Sequence, residues 1–142
     1  MRRLFSLLLF VVVLTGCASG SGTSRPKNIA QPDLDARLVT EVFFGSQNNA
    51  PASIEVYVTN RANVPINVRK VEIDSPGMAQ WGLVRTVRYF NEPVPPGERK
   101  TISLMVTAVT NTSRPVEPLQ IRAIVEFEAQ GTRWREILMA RQ

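Results

Sequence analysis

The sequence predicts an all-β fold, an immunoglobulin-like antiparallel β-sandwich of about seven strands. From Leu34 onward, apolar and polar residues alternate in short runs, which is the pattern of half-buried strands. Asn, Pro and Gly separate these runs, as turn residues do, and long helical periodicity is absent from the same region. Seven short, turn-separated strands within ~105 residues are typical of this kind of sandwich.

The first two predicted strands are Arg37–Phe44 and Ser53–Asn60. In the second strand, Ile54, Val56 and Val58 share one face, and the residues between them lie on the other face. A single apolar face of this kind predicts burial on one side and solvent or another surface on the opposite side.

The third predicted strand, Val64–Ile73, changes the parity of its apolar residues. Ile66 and Val68 share one face of a regular strand, whereas the apolar residues after Arg69-Lys70 fall on the other face. One extra residue near Arg69-Lys70 restores a single buried face, so we expect a β-bulge there.

The middle of the chain contains two further strands and three breaks. Gln80–Phe90 is rich in β-forming residues, and Thr101–Thr107 alternates clearly, so both are predicted strands. Pro76-Gly77 and Pro95-Pro96-Gly97 are predicted turns, and Val109–Pro118 is a predicted loop.

The last two strands form a hairpin whose register follows from its turn. Apolar residues alternate from Leu119 to Phe127, and Gln130-Gly131 suits a two-residue turn because glycine tolerates positive φ. This turn places opposite charges together on one face and two aromatic residues together on the other. The predicted pairs are Ala129–Thr132, Glu128–Arg133, Phe127–Trp134 and Glu126–Arg135.

Beyond these pairs the alternation breaks. Glu136 follows Trp134 inward in a regular strand, while Ile137 faces outward. Two explanations remain open at this point: a bulge near Arg135-Glu136, or a partly covered outer face that carries Ile124 and Ile137.

An apolar N-terminal segment ends at the only cysteine of the chain. Arg2 and Arg3 precede the apolar stretch 4–14, which is shorter than the ~20 residues that a membrane-spanning helix needs. The residues Leu14-Thr15-Gly16-Cys17 resemble the lipobox of bacterial lipoproteins. The resemblance implies cleavage between Gly16 and Cys17, and acylation of Cys17 with chains such as palmitate.

The lipobox implies the location and the domain organisation. Residues 1–16 are the predicted signal peptide, 17–33 the lipidated cysteine with a flexible tether, and 34–142 the sandwich domain. Two or more acyl chains anchor a protein stably. Ala18 stands where relatives retained in the inner membrane typically have aspartate, which favours the outer membrane facing the periplasm in a Gram-negative envelope.

Two segments of the predicted domain resemble bacterial immunoglobulin-like modules of the CARDB or ASH type. Residues 58–73, VTNRANVPINVRKVEI, have an asparagine-rich turn before Pro-Ile-x-Val, and residues 94–106, VPPGERKTISLMV, have a Pro-Gly turn before a strand. The resemblance implies a module that presents surfaces, spaces domains or binds partners, and such modules are seldom enzymes.

The residue inventory disfavours catalysis. Histidine is absent, and a lipidated Cys17 leaves no thiol, so nucleophile–histidine pairs and Cys or His zinc sites are excluded. Glu126 and Glu128 have a spacing suited to glycoside hydrolysis, but arginine partners would lower the pKa values that a general acid needs raised. Met78, Met105 and Met139 are too scattered to indicate a copper site. We therefore expect no enzyme, cofactor, metal or small-molecule substrate.

Charge leaves two interpretations of function. The full chain carries +5, and without Arg2 and Arg3 the 15 basic and 12 acidic residues sum to +3. We expect an accessory that binds a protein partner through a loop or a free sheet edge. The alternative is an electrostatic binder of anionic glycan or lipid headgroups through Arg122, Arg133 and Arg135. A wider basic set with interleaved aromatic residues superficially suggests nucleic-acid binding, which export makes unsuitable: Arg85, Arg88, Tyr89, Phe90, Arg99, Lys100, Arg122, Arg133, Trp134, Arg135 and Arg141.

Overall fold

The structure is a computed structural model that describes residues 24–77 and 79–142, and these residues form eight strands and no helix. Gly16 and Cys17 of the predicted attachment site, and Met78, lie outside the described residues. The strands are β1 (Asp33–Leu38), β2 (Asn49–Thr59), β3 (Ile66–Asp74), β4 (Trp81–Leu83), β5 (Thr86–Val94), β6 (Arg99–Thr110), β7 (Gln120–Ala129) and β8 (Thr132–Arg141).

The strands form two four-stranded antiparallel sheets. The first sheet has the order β1-β2-β6-β4, and the second has the order β5-β3-β7-β8. Immunoglobulin sandwiches of the constant type likewise place four strands in one sheet and three in the other, and here β5 is added beside β3. The predicted sandwich is confirmed, with eight strands in the described chain where about seven were expected.

The core lies between the two sheets and is supplied by alternate residues of the central strands. Ile54, Val56 and Val58 of β2 are fully buried, as predicted. The alternate apolar residues of β6 and β7 are buried in the same way. Full burial of an aliphatic side chain contributes about 1.5–3 kcal/mol, so these strands supply much of the force that holds the sheets together.

The predicted bulge is present in β3. The pairing of β3 with β7 shifts between Val68 and Lys70, so Arg69 is an extra residue relative to β7. Val68 and Val71 therefore both point into the core, and both are fully buried. The change of parity in the sequence is thus resolved by the bulge.

The predicted hairpin is also present, with the predicted register. Both turn residues have positive φ, 51° for Gln130 and 74° for Gly131, as a type I′ turn requires. All four predicted pairs occur, and the register continues unbroken to the end of β8. Ile124 consequently pairs with Ile137 on the outer face, where Ile137 is exposed. The second explanation of the broken alternation is therefore correct.

The first strand is the clearest error of the sequence prediction. The prediction placed it at Arg37–Phe44, whereas β1 ends at Leu38 and residues 39–48 form a loop. Phe44 anchors this loop by packing edge-on against Trp81, with ring centroids 5.9 Å apart. Gly45 follows with φ of 52°, a left-handed conformation that turns the chain away from a strand.

The predicted strand Gln80–Phe90 is divided between the two sheets. β4 pairs with β6 in the first sheet, and β5 pairs with β3 in the second. Val84 and Arg85 connect them. Because the two sheets turn opposite faces to the core, no single alternation can describe the whole stretch.

Residues 24–32, which we call the strap, lie against the sandwich, although the sequence predicts a flexible tether through residue 33. Ile29 of the strap is buried in the core. Its amide donates to the carbonyl of Pro26 at 3.0 Å, which closes a turn. One large apolar residue thus docks the end of the expected tether.

Candidate functional site

The strap is held at the middle of β8 by the carboxylate of Glu136. Arg25 Nη1 contacts Glu136 Oε1 at 3.1 Å, and Gln31 Nε2 donates to Glu136 Oε2 at 3.1 Å. One carboxylate therefore binds residues from both limbs of the strap. This explains why Glu136 occupies an inward-facing position: the strap supplies its polar partners at the edge of the sheet.

The outer face of the second sheet carries a network of ion pairs. Arg133 Nε lies 2.7 Å from Glu128 Oε2, and Arg135 Nε lies 3.2 Å from Glu126 Oε2, as the predicted register implies. β3 extends the network, since Lys70 Nζ lies 3.8 Å from Glu126 Oε2 and Arg69 Nε lies 3.5 Å from Glu128 Oε2. The network is a charge ladder in which basic and acidic groups offset each other.

Arg122 lies apart from Arg133 and Arg135. It pairs across β7 and β8 with Met139, four residues along β7 from Glu126, which is ~13 Å in a strand. Its guanidinium donates two hydrogen bonds to the carboxylate of Asp74, with Nε 2.7 Å from Oδ1. These bonds raise the pKa of Arg122 above its ordinary value. The three predicted patch residues are thus separated, and each has an acidic partner.

The wider basic set is not one surface. Arg99 and Lys100 belong to β6 in the first sheet, whereas Arg133 and Arg135 belong to β8 in the second. Trp134 was expected among interleaved surface aromatics, but it is buried in the core. Its position follows from the two-residue periodicity of β8, which turns alternate residues inward.

The carboxylates considered for hydrolysis are both engaged in the charge ladder. Glu126 contacts one lysine and two arginines, and Glu128 contacts two arginines. Met105 and Met139 lie on different sheets and do not share a site. Within residues 24–77 and 79–142, no group of three or more His, Cys, Asp or Glu side chains is placed to hold a metal.

The open surface of the second sheet is its β5 edge, which the sequence did not single out. In the described part of the chain, β5 pairs with β3 alone. Tyr89 stands on this strand with 79% of its surface exposed. Pro93, within the strand, was a signal that could have indicated an edge, because proline cannot donate to a sheet ladder.

The N-terminal segment matches the family described as prokaryotic membrane lipoprotein lipid attachment site, over residues 1–18. The match includes Cys17 and supports a lipid-anchored envelope lipoprotein. Among the residues that the structure describes, there is no helix with the length and apolar character needed to cross a membrane.

Two solved structures have a related strand arrangement. A protein from Archaeoglobus fulgidus has 11% identity and a TM-score of 0.47, with 79% of this chain and 94% of that chain covered. A β-glucosidase involved in saponin metabolism from intestinal bacteria has 14% identity and a TM-score of 0.41. There the alignment covers 78% of this chain and 16% of the β-glucosidase. Comparison with curated proteins finds no match.

We predict that Cys17→Ser abolishes acylation, because serine lacks the sulfur that receives the diacylglyceryl group. Labelling of growing cells with radioactive palmitate should mark the wild-type protein and leave Cys17→Ser unlabelled. Ser21→Ala, a matched change in the same segment, should keep the label. Mass spectrometry of the mature N-terminus would contradict the prediction if it showed an unmodified Cys17 thiol.

Proposed function

We propose that this chain is a non-catalytic lipoprotein of the outer membrane, facing the periplasm, that serves as a binding or structural accessory. We further propose that it binds an envelope protein by accepting a strand of that partner at the β5 edge. The observation that carries this proposal is the open edge of β5, next to the exposed ring of Tyr89. An added strand gains main-chain hydrogen bonds, and side chains beside it supply specificity.

The other edges of the sandwich are less suited to a partner strand. β1 and β8 lie on the side that the strap covers, where Gln142 Nε2 also donates to the carbonyl of Ala36 at 3.2 Å. β4 has only three residues. β5 offers the stretch Thr86–Glu92 before Pro93, long enough for several ladder hydrogen bonds.

The residue chemistry supports a role in binding. The chain lacks histidine, and the closely spaced Glu126 and Glu128 are both ion-paired to basic side chains. The resemblance of residues 58–73 and 94–106 to CARDB and ASH modules adds an expectation of partner binding without catalysis. The lipid anchor and Ala18 favour the outer membrane as the place of action.

The proposed strand addition can be tested by photocrosslinking in intact cells. A benzophenone amino acid at Tyr89 should give a discrete adduct with an envelope protein, and its identity can be read by mass spectrometry. The same amino acid at Met105, exposed on the outer face of the first sheet, is the matched control and should give none. Equal adducts at both positions, or no adduct at Tyr89 in the folded membrane-bound protein, would refute binding at β5.

The electrostatic alternative has less support. Arg122, Arg133 and Arg135 each lie against a carboxylate, which reduces the positive potential that an anionic glycan or headgroup would meet. Binding of this kind would be salt-sensitive. Salt-sensitive retention on isolated peptidoglycan or lipopolysaccharide, lost in a double Arg133→Gln and Arg135→Gln variant, would favour it over strand addition.

A further inference from the structure

We infer that one end of the sandwich contacts the membrane surface through two apolar loop tips. The loops 39–48 and 111–119 lie at the same end, where Asn49 of β2 pairs with Val109 of β6. Phe43, at 77% exposure, and Val116, at 84%, are their most exposed large apolar residues. We call this the loop end and the two side chains the apolar tips.

The structure holds the apolar tips outward in both loops. In the first loop, Phe44 is buried against Trp81, so its neighbour Phe43 is turned to the surface. In the second loop, Gln80 Oε1 accepts the amide of Val116 at 2.8 Å. The backbone of each loop is therefore fastened beside the residue that it exposes.

Trp81 joins the two loops. Its indole Nε1 donates to the carbonyl of Glu117 at 2.8 Å, while Phe44 packs on its ring. A cleft of about 500 Å³ lies between the loops, with Phe43, Arg114 and Pro115 on its walls. Because both loops rest on one tryptophan, the two apolar tips form one surface.

The length of chain between the lipid and the strap brings this end within reach of the bilayer. Cys17 and Arg25 are eight residues apart, which an extended chain spans in at most about 26–29 Å. Arg25 is fixed beside Glu136, and the loop end lies about 17 Å further along β8, at Arg141. An acylated Cys17 can thus sit in the membrane while Phe43 and Val116 touch it.

Composition distinguishes the loop end from the opposite end. The opposite end consists of the turns 60–65, 95–98 and 130–131, whose exposed residues include Arg61, Asn63 and Glu98. At the loop end, Arg114 is exposed beside the cleft, and no ion pair engages it among the residues that the structure describes. Apolar tips with a free basic group match a bilayer interface containing anionic phospholipid.

A tryptophan reporter tests this contact in the mature lipoprotein. Phe43→Trp is placed in vesicles of phosphatidylethanolamine and phosphatidylglycerol, with or without bromine on the acyl chains, and the signal of the parent protein is subtracted. Insertion of ~5–10 Å should let bromine quench roughly half of the reporter emission and should shield the reporter from aqueous iodide. Tyr89→Trp is the matched exposed control, and it should respond to iodide alone.

Two outcomes would overturn the inference. Quenching of the Phe43→Trp reporter by iodide but not by brominated lipid would show that the loop end stays in water. Shielding from both quenchers, together with crosslinks between chains at Val116, would assign the apolar tips to a contact between two copies. Binding at β5 is tested separately, because its crosslink at Tyr89 lies on another face.

Discussion

Asn60→Ala is expected to lower the free energy of unfolding by about 3–4 kcal/mol. Asn60 is fully buried, and its side chain satisfies three backbone groups. Nδ2 donates to the carbonyls of Val64 at 2.8 Å and Val94 at 2.9 Å, and Oδ1 accepts the amide of Ala62 at 2.8 Å. Alanine cannot replace these bonds, so the three groups lose their partner inside the protein.

Urea denaturation of the purified protein, followed by tryptophan fluorescence, measures this loss. Asn63→Ala is the matched control, because Asn63 is exposed in the same turn, and its change should stay within about 0.5 kcal/mol. If both variants unfolded at the wild-type urea concentration, the buried bonds of Asn60 would contribute nothing to stability.

The bonds of Asn60 also explain two separated sequence segments. The backbone amide of Asn60 donates to Glu98 O at 2.9 Å, and the amide of Gly97 donates to Asn60 O at 2.9 Å. Asn60 thus connects the end of β2 to the Pro-Pro-Gly turn before β6. The asparagine turn and the Pro-Gly turn, which together carry the resemblance to CARDB and ASH modules, are one hydrogen-bonded unit.

Features with a local cause could be predicted from the sequence. The bulge at Arg69 follows from the parity of neighbouring valines, and the β7–β8 register follows from a two-residue turn. The loop around Phe44 could not be predicted in this way. Its burial depends on Trp81, which is distant in sequence and becomes a neighbour only after the sheets pack.

The candidate site shows the same division. The pairs Glu128–Arg133 and Glu126–Arg135 follow from the hairpin turn, so the charge ladder was accessible from the sequence. The open edge at β5 and the strap were not, because they depend on strand order and on which side of the sandwich Ile29 docks. Alternation describes one strand at a time and contains no information about its position in the sheet.

Trp134→Ala is expected to destabilise the domain by about 3–5 kcal/mol, the usual range for removing a buried tryptophan. Trp134 is 1% exposed and stacks on Phe127, with ring centroids 5.6 Å apart and planes at 30°. Alanine at this position removes that stack and leaves a cavity beside Phe127. The matched control on β8 is Ile137→Ala, which removes an exposed side chain and should cost less than about 0.5 kcal/mol.

Trp134→Phe separates packing from hydrogen bonding at the same position. The buried Nε1 of Trp134 has no hydrogen-bond partner among the described residues, so the indole already carries a desolvation penalty. Phenylalanine retains an aromatic ring against Phe127 and removes the unpaired N–H. We therefore expect less than half of the loss seen for Trp134→Ala in the same urea experiment. An equal loss for both variants would mean that the indole N–H contributes through a bound water, and that the ring stack is not the main source of stability at this edge.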